Sequence, residues 1–342
     1  MRQRSRQIIK LDDVALQAGV SPSTVSLYIR QPERVSAKTG KKIQTAIDNL
    51  GYVHNKIASQ FTGGRSSNMA VVLPSLANVI FSYVIQRIES TVSEQGFQLS
   101  IASHDHCLNK EEEQIRAILQ WTPAVIAIAG ADHKSSTLKM LQNSGVPVVQ
   151  MWQVDGSAIT AQVGNNHEQI GYSAARYLLE TGCAQLAYFT TRFEDDIRAR
   201  TRYAGFCRAL EEQGKKPLLV DIPRSDNIWQ ASRETLMKTL VKEKGIDGIF
   251  CTSDSIATAL LMEAQSRGIK IPDQLSILGF GDFPSSAWLS PVSLSSVSLN
   301  ADMIATKTAG MMLAMSQDKE YRGEVVNVGF EIIPRGSTRL PF

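Results

Sequence analysis

The sequence predicts an α/β protein in two unequal parts. An all-helical head covers residues 1–52, and a larger body from residue 66 onward alternates strands and helices around parallel sheets. Three observations predict this. Between residues 11 and 50, apolar residues recur at helix spacing and glycines interrupt them. From Met69 on, apolar runs of strand length alternate with helix-period stretches, which is the pattern of a parallel sheet covered by helices. Charge is divided as well. Residues 1–65 hold eleven Lys and Arg against four Asp and Glu, a net +7, and the rest holds 25 against 29, a net −4.

The head is read first. In LDDVALQAGVSPSTVSLYIR, residues 11–30, Leu11, Val14, Ala15 and Ala18 fall on one helix face. Gly19 stops that helix, because the residue past a helix C-terminus often needs positive φ. Ser21 caps a second helix, and Pro22 occupies its first turn, where a missing N–H costs nothing. Val25 and Ile29 form its apolar face. Two short helices around a glycine turn suit a helix-turn-helix, whose second helix enters the major groove of DNA. Residues 32–52 predict a third helix, capped by Ser36, buried through Ile43, Ile47 and Leu50, and ended by Gly51. A short segment over 54–64 follows, apolar at Ile57, Ala58 and Phe61. It is too short to be a stable free helix and is expected to fold only on DNA.

This order resembles the lactose/galactose repressor family of bacterial transcription regulators. The residues that carry the resemblance include Asp13, Val14, Ala15, Ala18, Gly19, Val20, Ser21, Thr24, Val25, Ser26, Val35, Ser36, Thr39, Ile43, Leu50, Gly51, Tyr52, Asn55 and Ala58. It implies a fold in three parts: a helix-turn-helix DNA-binding headpiece over 1–52, a hinge helix and linker over 53–65, and a two-lobed, periplasmic-binding-protein-like body over 66–342. The body's N-lobe is expected at about 66–162 and 293–325, and its C-lobe at about 163–292 and 326–342. The chain should cross between lobes near 162–164, 291–295 and 322–328.

Composition bounds the function. At 342 residues, 43% hydrophobic and 20% charged, the chain can bury ordinary cores. No apolar run reaches the ~18 residues of a membrane span. The N-terminus is basic without an apolar signal core, so a cytoplasmic protein with no membrane partner is expected. Cys107, Cys183, Cys207 and Cys251 are widely spaced and form no CxxC, which predicts reduced thiols. His104, His106 and Cys107 lie in a polar loop with no further ligand pair, so no metal is expected, and no cofactor. No GxGxxG after a strand, GxxxxGK[ST], HExxH or GxSxG occurs, which argues against an enzyme.

Along the body, strands are predicted at 69–74, 97–103, 124–130, 146–152, 184–191, 217–222, 247–253 and 275–280, with a closing stretch at 326–334. Helices are predicted at 81–95, 109–121, 134–145, 167–182, 197–213, 229–244, 257–267 and 301–315.

For DNA reading, the resemblance implies base contacts from Pro22, Ser23, Ser26 and Leu27. Where this chain has Leu27, many members carry Arg; leucine can only pack on apolar groups such as the thymine methyl. Thr24 and Lys38 suit phosphates. Asn55, Ala58 and Phe61 belong to the hinge, and Phe61 stands where the family places an apolar wedge for the minor groove. For the effector, the resemblance implies Ser75, Phe81, Gln150, Trp152, Arg202, Ser253, Gly281 and Asp282, and Trp229 can stack on a sugar-like ligand. Sugar-binding members often have Asn at Ser253 and Asp at Gly281. Losing that carboxylate while keeping Arg202 tilts the cleft toward an anion. Arg198 and Arg200, nearby, are expected to be solvent-exposed. The run VVLPSLANVIFSYVIQRIES resembles the gluconate-operon repressors in particular. The expectation is therefore a homodimeric repressor of double-stranded operator DNA, tuned by a sugar acid such as gluconate or a keto-gluconate. The alternatives are the same regulator with a neutral sugar or nucleobase effector, or a solute-binding protein or enzyme of the same body fold.

Overall fold

The structure, a computed structural model, describes residues 9–53 and 66–340 apart from Lys319 and Arg322. It divides into two compact units, 1–65 and 66–342.

In the first unit, α1 (Leu11–Ala18), α2 (Pro22–Arg30) and α3 (Ala37–Leu50) close over a core of Val14, Ala15, Ala18, Val25, Ile43 and Ala46. Their ends are set by single residues. Gly19 and Gly51 take left-handed φ of 67° and 61° past α1 and α3. Ser21 and Ser36 accept the N–H of Thr24 and Thr39 at 3.2 and 3.3 Å. A tight 3-10 turn, Pro32–Arg34, precedes α3 and was not expected. Gly40 lets α2 and α3 meet, since a Cβ there would stand 2.9 Å from the Tyr28 ring.

The second unit opens with β1 (Asn68–Leu73), α4 (Val79–Glu94), β2 (Gln98–Ser103), α5 (Leu108–Leu119), β3 (Ile126–Ala129), α6 (Ser135–Ser144), β4 (Val148–Gln153) and β5 (Ala161–Asn165). It repeats the pattern in α7 (His167–Glu180), β6 (Leu186–Thr191), α8 (Ile197–Glu211), β7 (Leu218–Ile222), α9 (Ile228–Lys242), β8 (Gly248–Cys251), α10 (Asp254–Ser266), β9 (Ser276–Phe280) and β10 (Ser295–Ser298). It ends in α11 (Ala301–Gln317), β11 (Val325–Asn327) and β12 (Glu331–Ile333).

These strands form two six-stranded sheets, ordered β11-β5-β4-β3-β1-β2 and β12-β10-β9-β8-β6-β7. Each lobe thus lays its first five strands in the same spatial order, and a late strand joins the edge. The central strands are apolar throughout because helices cover both faces. β12 alone runs antiparallel, pairing Ile332 with Val297 of β10.

Sheet membership puts the crossings between lobes at 166, 299–300 and 328–330. These lie a few residues later than the sequence suggested. β5, β10 and β11 were not read as separate strands, and each still belongs to the sheet being left. The stretch 326–334 is two strands, one in each sheet. All four cysteines are free thiols. No helix among the described residues is long and apolar enough to cross a membrane.

Candidate functional site

Two surfaces collect the candidate residues. The first is the N-terminus of α2. Pro22 and Ser23 are exposed there, and Thr24, Ser26 and Leu27 are half-buried along the helix. The Ser21 hydroxyl sits 2.8 Å from those of Ser23 and Thr24, so the cap fixes both side chains. Arg30, not singled out by the sequence, folds back to donate to Ser26 Oγ at 2.9 Å. Lys38 is exposed on α3 and shares a groove with Lys41 and Lys42, which continue its face at i+3 and i+4. Asn55, Ala58 and Phe61 lie outside the described residues.

The second surface is the cleft between lobes, at the carboxyl ends of the strands, where such sheets bind ligands. Phe81, Trp152, Arg202, Ser253 and Gly281 line one cavity there. Ser75, Gln150, Trp229 and Asp282 do not. Ser75 accepts the N–H of Ala77 in a local turn. Gln150 points into its own lobe and accepts the N–H of Ile159 at 2.9 Å. Trp229 is 44% exposed at the start of α9. Asp282 accepts from Arg335 Nη2 at 2.7 Å and faces a different groove.

Arg202 is 3% exposed. Its guanidinium lies 4.2 Å from the centre of the Phe280 ring. Nη1 donates to His167 Nδ1 at 2.9 Å, and His167 Nε2 donates to the Trp152 carbonyl at 3.0 Å. The first bond requires a neutral imidazole, since Nδ1 must accept. Burial lowers the His167 pKa well below its ordinary value, and the Arg202 and Arg198 charges lower it further. Arg202 Nε has no partner among the described residues, although it is buried. Two glycines bring these groups together. A Cβ on Gly171 would lie 1.7 Å from the Arg202 carbonyl oxygen, and one on Gly205 would lie 1.9 Å from that of Glu168. The backbones of α7 and α8 therefore touch beside the site.

Arg198, expected to be solvent-exposed, is only 9% exposed. Its Nε donates to Asp196 Oδ1 at 3.3 Å, and its guanidinium reaches 5.6 Å from the Phe81 ring of the other lobe. Asp196 caps α8 by accepting the N–H groups of Arg198 and Ala199. Burial alone pushes its carboxyl up, but Arg198, Arg202, His106 and His167 together hold it well below the usual carboxylate range. His106 also lines the cavity, and burial lowers its pKa to about 4, Arg198 and Arg192 adding to the effect against Asp196. Near neutral pH the lining thus holds two guanidiniums, two neutral imidazoles and one carboxylate, which leaves one positive charge uncompensated.

Gly281 has φ of 119°, and a Cβ there would stand 2.8 Å from the Phe283 ring. The Phe283 N–H donates to buried Asp254 at 2.7 Å, which holds this loop in place. Six non-glycine residues at strand ends, Asp105, His106, Trp152, Arg192, Asp282 and Asn300, also have left-handed φ. Such backbone costs about 1–3 kcal/mol per residue and concentrates where a fold is shaped for binding. Across the cleft mouth, Arg192 donates to the Asp105 carbonyl and carboxylate at 3.0 and 3.1 Å. The cavity is about 70 Å³, against roughly 300–1,000 Å³ for most ligand sites, so the lobes stand nearly closed and must part to admit a ligand. No cluster of three or more His, Cys, Asp or Glu among the described residues can hold a metal ion.

Two family models match the chain. That for bacterial regulatory proteins of the lacI family matches residues 10–55, and that for a periplasmic binding protein-like domain matches 175–338. The chain is 33% identical over 330 residues to the HTH-type transcriptional regulator GntR of Pseudomonas aeruginosa, covering 96% of this chain and 95% of that protein. The chain belongs to the LacI family. It is 29% identical to the HTH-type transcriptional regulator IdnR of Escherichia coli, covering 95% and 97% of the two chains. The crystal structure of a LacI family transcriptional regulator from Silicibacter pomeroyi superposes with a TM-score of 0.88 at 29% identity, covering 96% of this chain and 99% of that one. As a LacI-family member the protein is a DNA-binding transcriptional repressor and not an enzyme.

Proposed function

We propose that this LacI-family repressor controls a sugar-acid catabolic operon of the gluconate type, and that a sugar acid bound between the lobes sets its affinity for DNA. The observation that carries this reading is the uncompensated charge in the cleft. Two buried guanidiniums face one carboxylate, and one Arg202 nitrogen lacks a partner. A carboxylate supplies the missing charge and accepts from Arg202, and such charge-assisted bonds are about twice as strong as neutral ones. Gly281 keeps a second carboxylate out of the site. The similarity to GntR of Pseudomonas aeruginosa supports the same class of ligand.

On this reading residues 1–52 bind operator DNA, 53–65 form the hinge, and 66–342 bind the effector and dimerise. Pro22, Ser23, Ser26 and Leu27 read bases, Thr24 and Lys38 position phosphates, and Phe61 is the minor-groove wedge. Lys41 and Lys42 extend the phosphate contacts. The protein acts as a homodimer, because two heads on a two-fold operator follow from helix-turn-helix symmetry. Val79, Tyr83 and Met303 leave an apolar groove exposed on α4 and α11, which suits the partner copy.

Calorimetric titration tests the ligand. Gluconate should bind the full chain, and glucitol, the same carbon chain without the charge, should bind at least about tenfold more weakly. Equal affinities would sink the sugar-acid reading.

A further inference from the structure

Beside the effector cavity lies a second, smaller one of about 40 Å³. The two are adjacent, with His106, Asp196 and Arg198 in both linings. The far end of the smaller cavity is built by the other lobe. His104 follows β2, Glu111 lies in the first turn of α5, and Gly130 follows β3. His104 is 5% exposed, and neither of its ring nitrogens has a hydrogen-bond partner among the described residues. Glu111 Oε2 stands 3.6 Å from His104 Nε2, too far for a hydrogen bond, while Glu111 Oε1 is held by His133 Nδ1 at 2.9 Å.

An unsatisfied buried imidazole costs stability unless something pairs with it. Burial lowers the His104 pKa, with Arg198 and His133 adding to the effect against Glu111 and Asp105. The ring is therefore neutral, with one donor and one acceptor nitrogen. A hydroxyl has the same dual character and pairs with either nitrogen. Size narrows the choice further. The space is small, about 40 Å³, so in this closed arrangement of the lobes it suits a hydroxyl or hydroxymethyl group better than a sugar ring.

We propose that the His104 cavity is a second subsite, which receives the terminal hydroxymethyl of an extended, acyclic sugar acid whose carboxylate lies on Arg202 and Arg198. This inference rests on the sugar-acid reading and deepens it from charge to chain form and length. A ligand lying this way joins the lobes through the C-lobe arginines at one end and the N-lobe imidazole at the other. By sequence alone His104 and His106 belong to a polar loop with no assigned role.

The test is calorimetric titration of the full chain with gluconate, the five-carbon acid xylonate, and the cyclic acid glucuronate. The wild type should bind gluconate at least about tenfold more tightly than either of the others. His104→Leu removes both ring nitrogens and should bring the gluconate-to-xylonate ratio to within about twofold. His104→Gln retains a donor and an acceptor and should restore most of it. Glucuronate or xylonate binding the wild type as tightly as gluconate would overturn the subsite, and so would a ratio that survives in His104→Leu. If His104→Leu fails to fold, the wild-type series and His104→Gln still decide. Failure of all three acids to bind the wild type would remove the sugar-acid reading itself, an outcome distinct from the other two.

Discussion

Arg202 is held on three sides, by the Phe280 ring, by His167 and by the backbone contact between α7 and α8, and its buried Nε has no hydrogen-bond partner among the described residues. Arg202→Ala should weaken sugar-acid binding by roughly 10–100-fold, the loss of charge-assisted hydrogen bonds worth about 1.5–3 kcal/mol. Operator affinity without ligand should stay near wild type, which a DNA-binding titration checks. His106 gives a prediction in pH. Its folded pKa of about 4 lies below the ~6.5 of an unfolded histidine, so the unfolded chain binds more protons between those values. The stability that follows is fully present above about pH 6.5 and is lost as pH falls toward 4, and buried His167 acts in the same direction. The melting temperature should therefore fall between pH 7 and pH 5, less steeply in His106→Gln; equal slopes would contradict this assignment. At this scale the sequence was least legible. A charged side chain is exposed by default, and Arg198 is buried between its partner Asp196 and Phe81 of the other lobe, a neighbour more than a hundred residues away in the chain. The roles of His167 and Asp196 were hidden in the same way, since each stands at an ordinary helix start.

Helix ends were legible because one residue sets each. Gly19, Ser21, Ser36 and Gly51 act where the sequence put them. Ser21→Ala should cost the head about 1 kcal/mol and disturb Ser23 and Thr24, which lean on the same hydroxyl. Thermal unfolding and operator affinity would both register it. Buried apolar strands were legible for a similar local reason, since MAVVLP or LSILGF needs no partner to identify it. β5, β10 and β11 were not, because AQVGN, SSVS and VVN are short and mostly polar or unpatterned. Their strand character comes from the neighbour that each one pairs with. The contact of α7 with α8 is the element on which the cleft depends. Gly205→Ala drives a methyl into the Glu168 carbonyl, so the helices must separate. We expect a loss of at least about 1–3 kcal/mol in unfolding free energy, with sugar-acid affinity falling as His167 and Arg202 part. Unchanged affinity in a folded Gly205→Ala protein would show that the close approach does not set the site.

At the scale of the molecule, sequence charge and sheet order describe the division of labour. The net +7 of residues 1–65 belongs to phosphate binding, so operator affinity should fall steeply and linearly with the logarithm of salt concentration, by about 0.9 per phosphate neutralised. The body has two sheets of matching order with the cleft between them, bridged at its mouth by Arg192 and Asp105. A ligand can alter DNA binding only if it favours one arrangement of the lobes over another. On the proposed sugar-acid reading, the ligand's own charge supplies much of that preference. The most direct measurement is operator affinity of the purified full-length protein at fixed salt, with and without gluconate, and with glucitol as the uncharged match. Gluconate should shift the affinity severalfold or more, and glucitol at the same concentration should leave it unchanged. An equal response to both, or to glucitol alone, would contradict the sugar-acid reading.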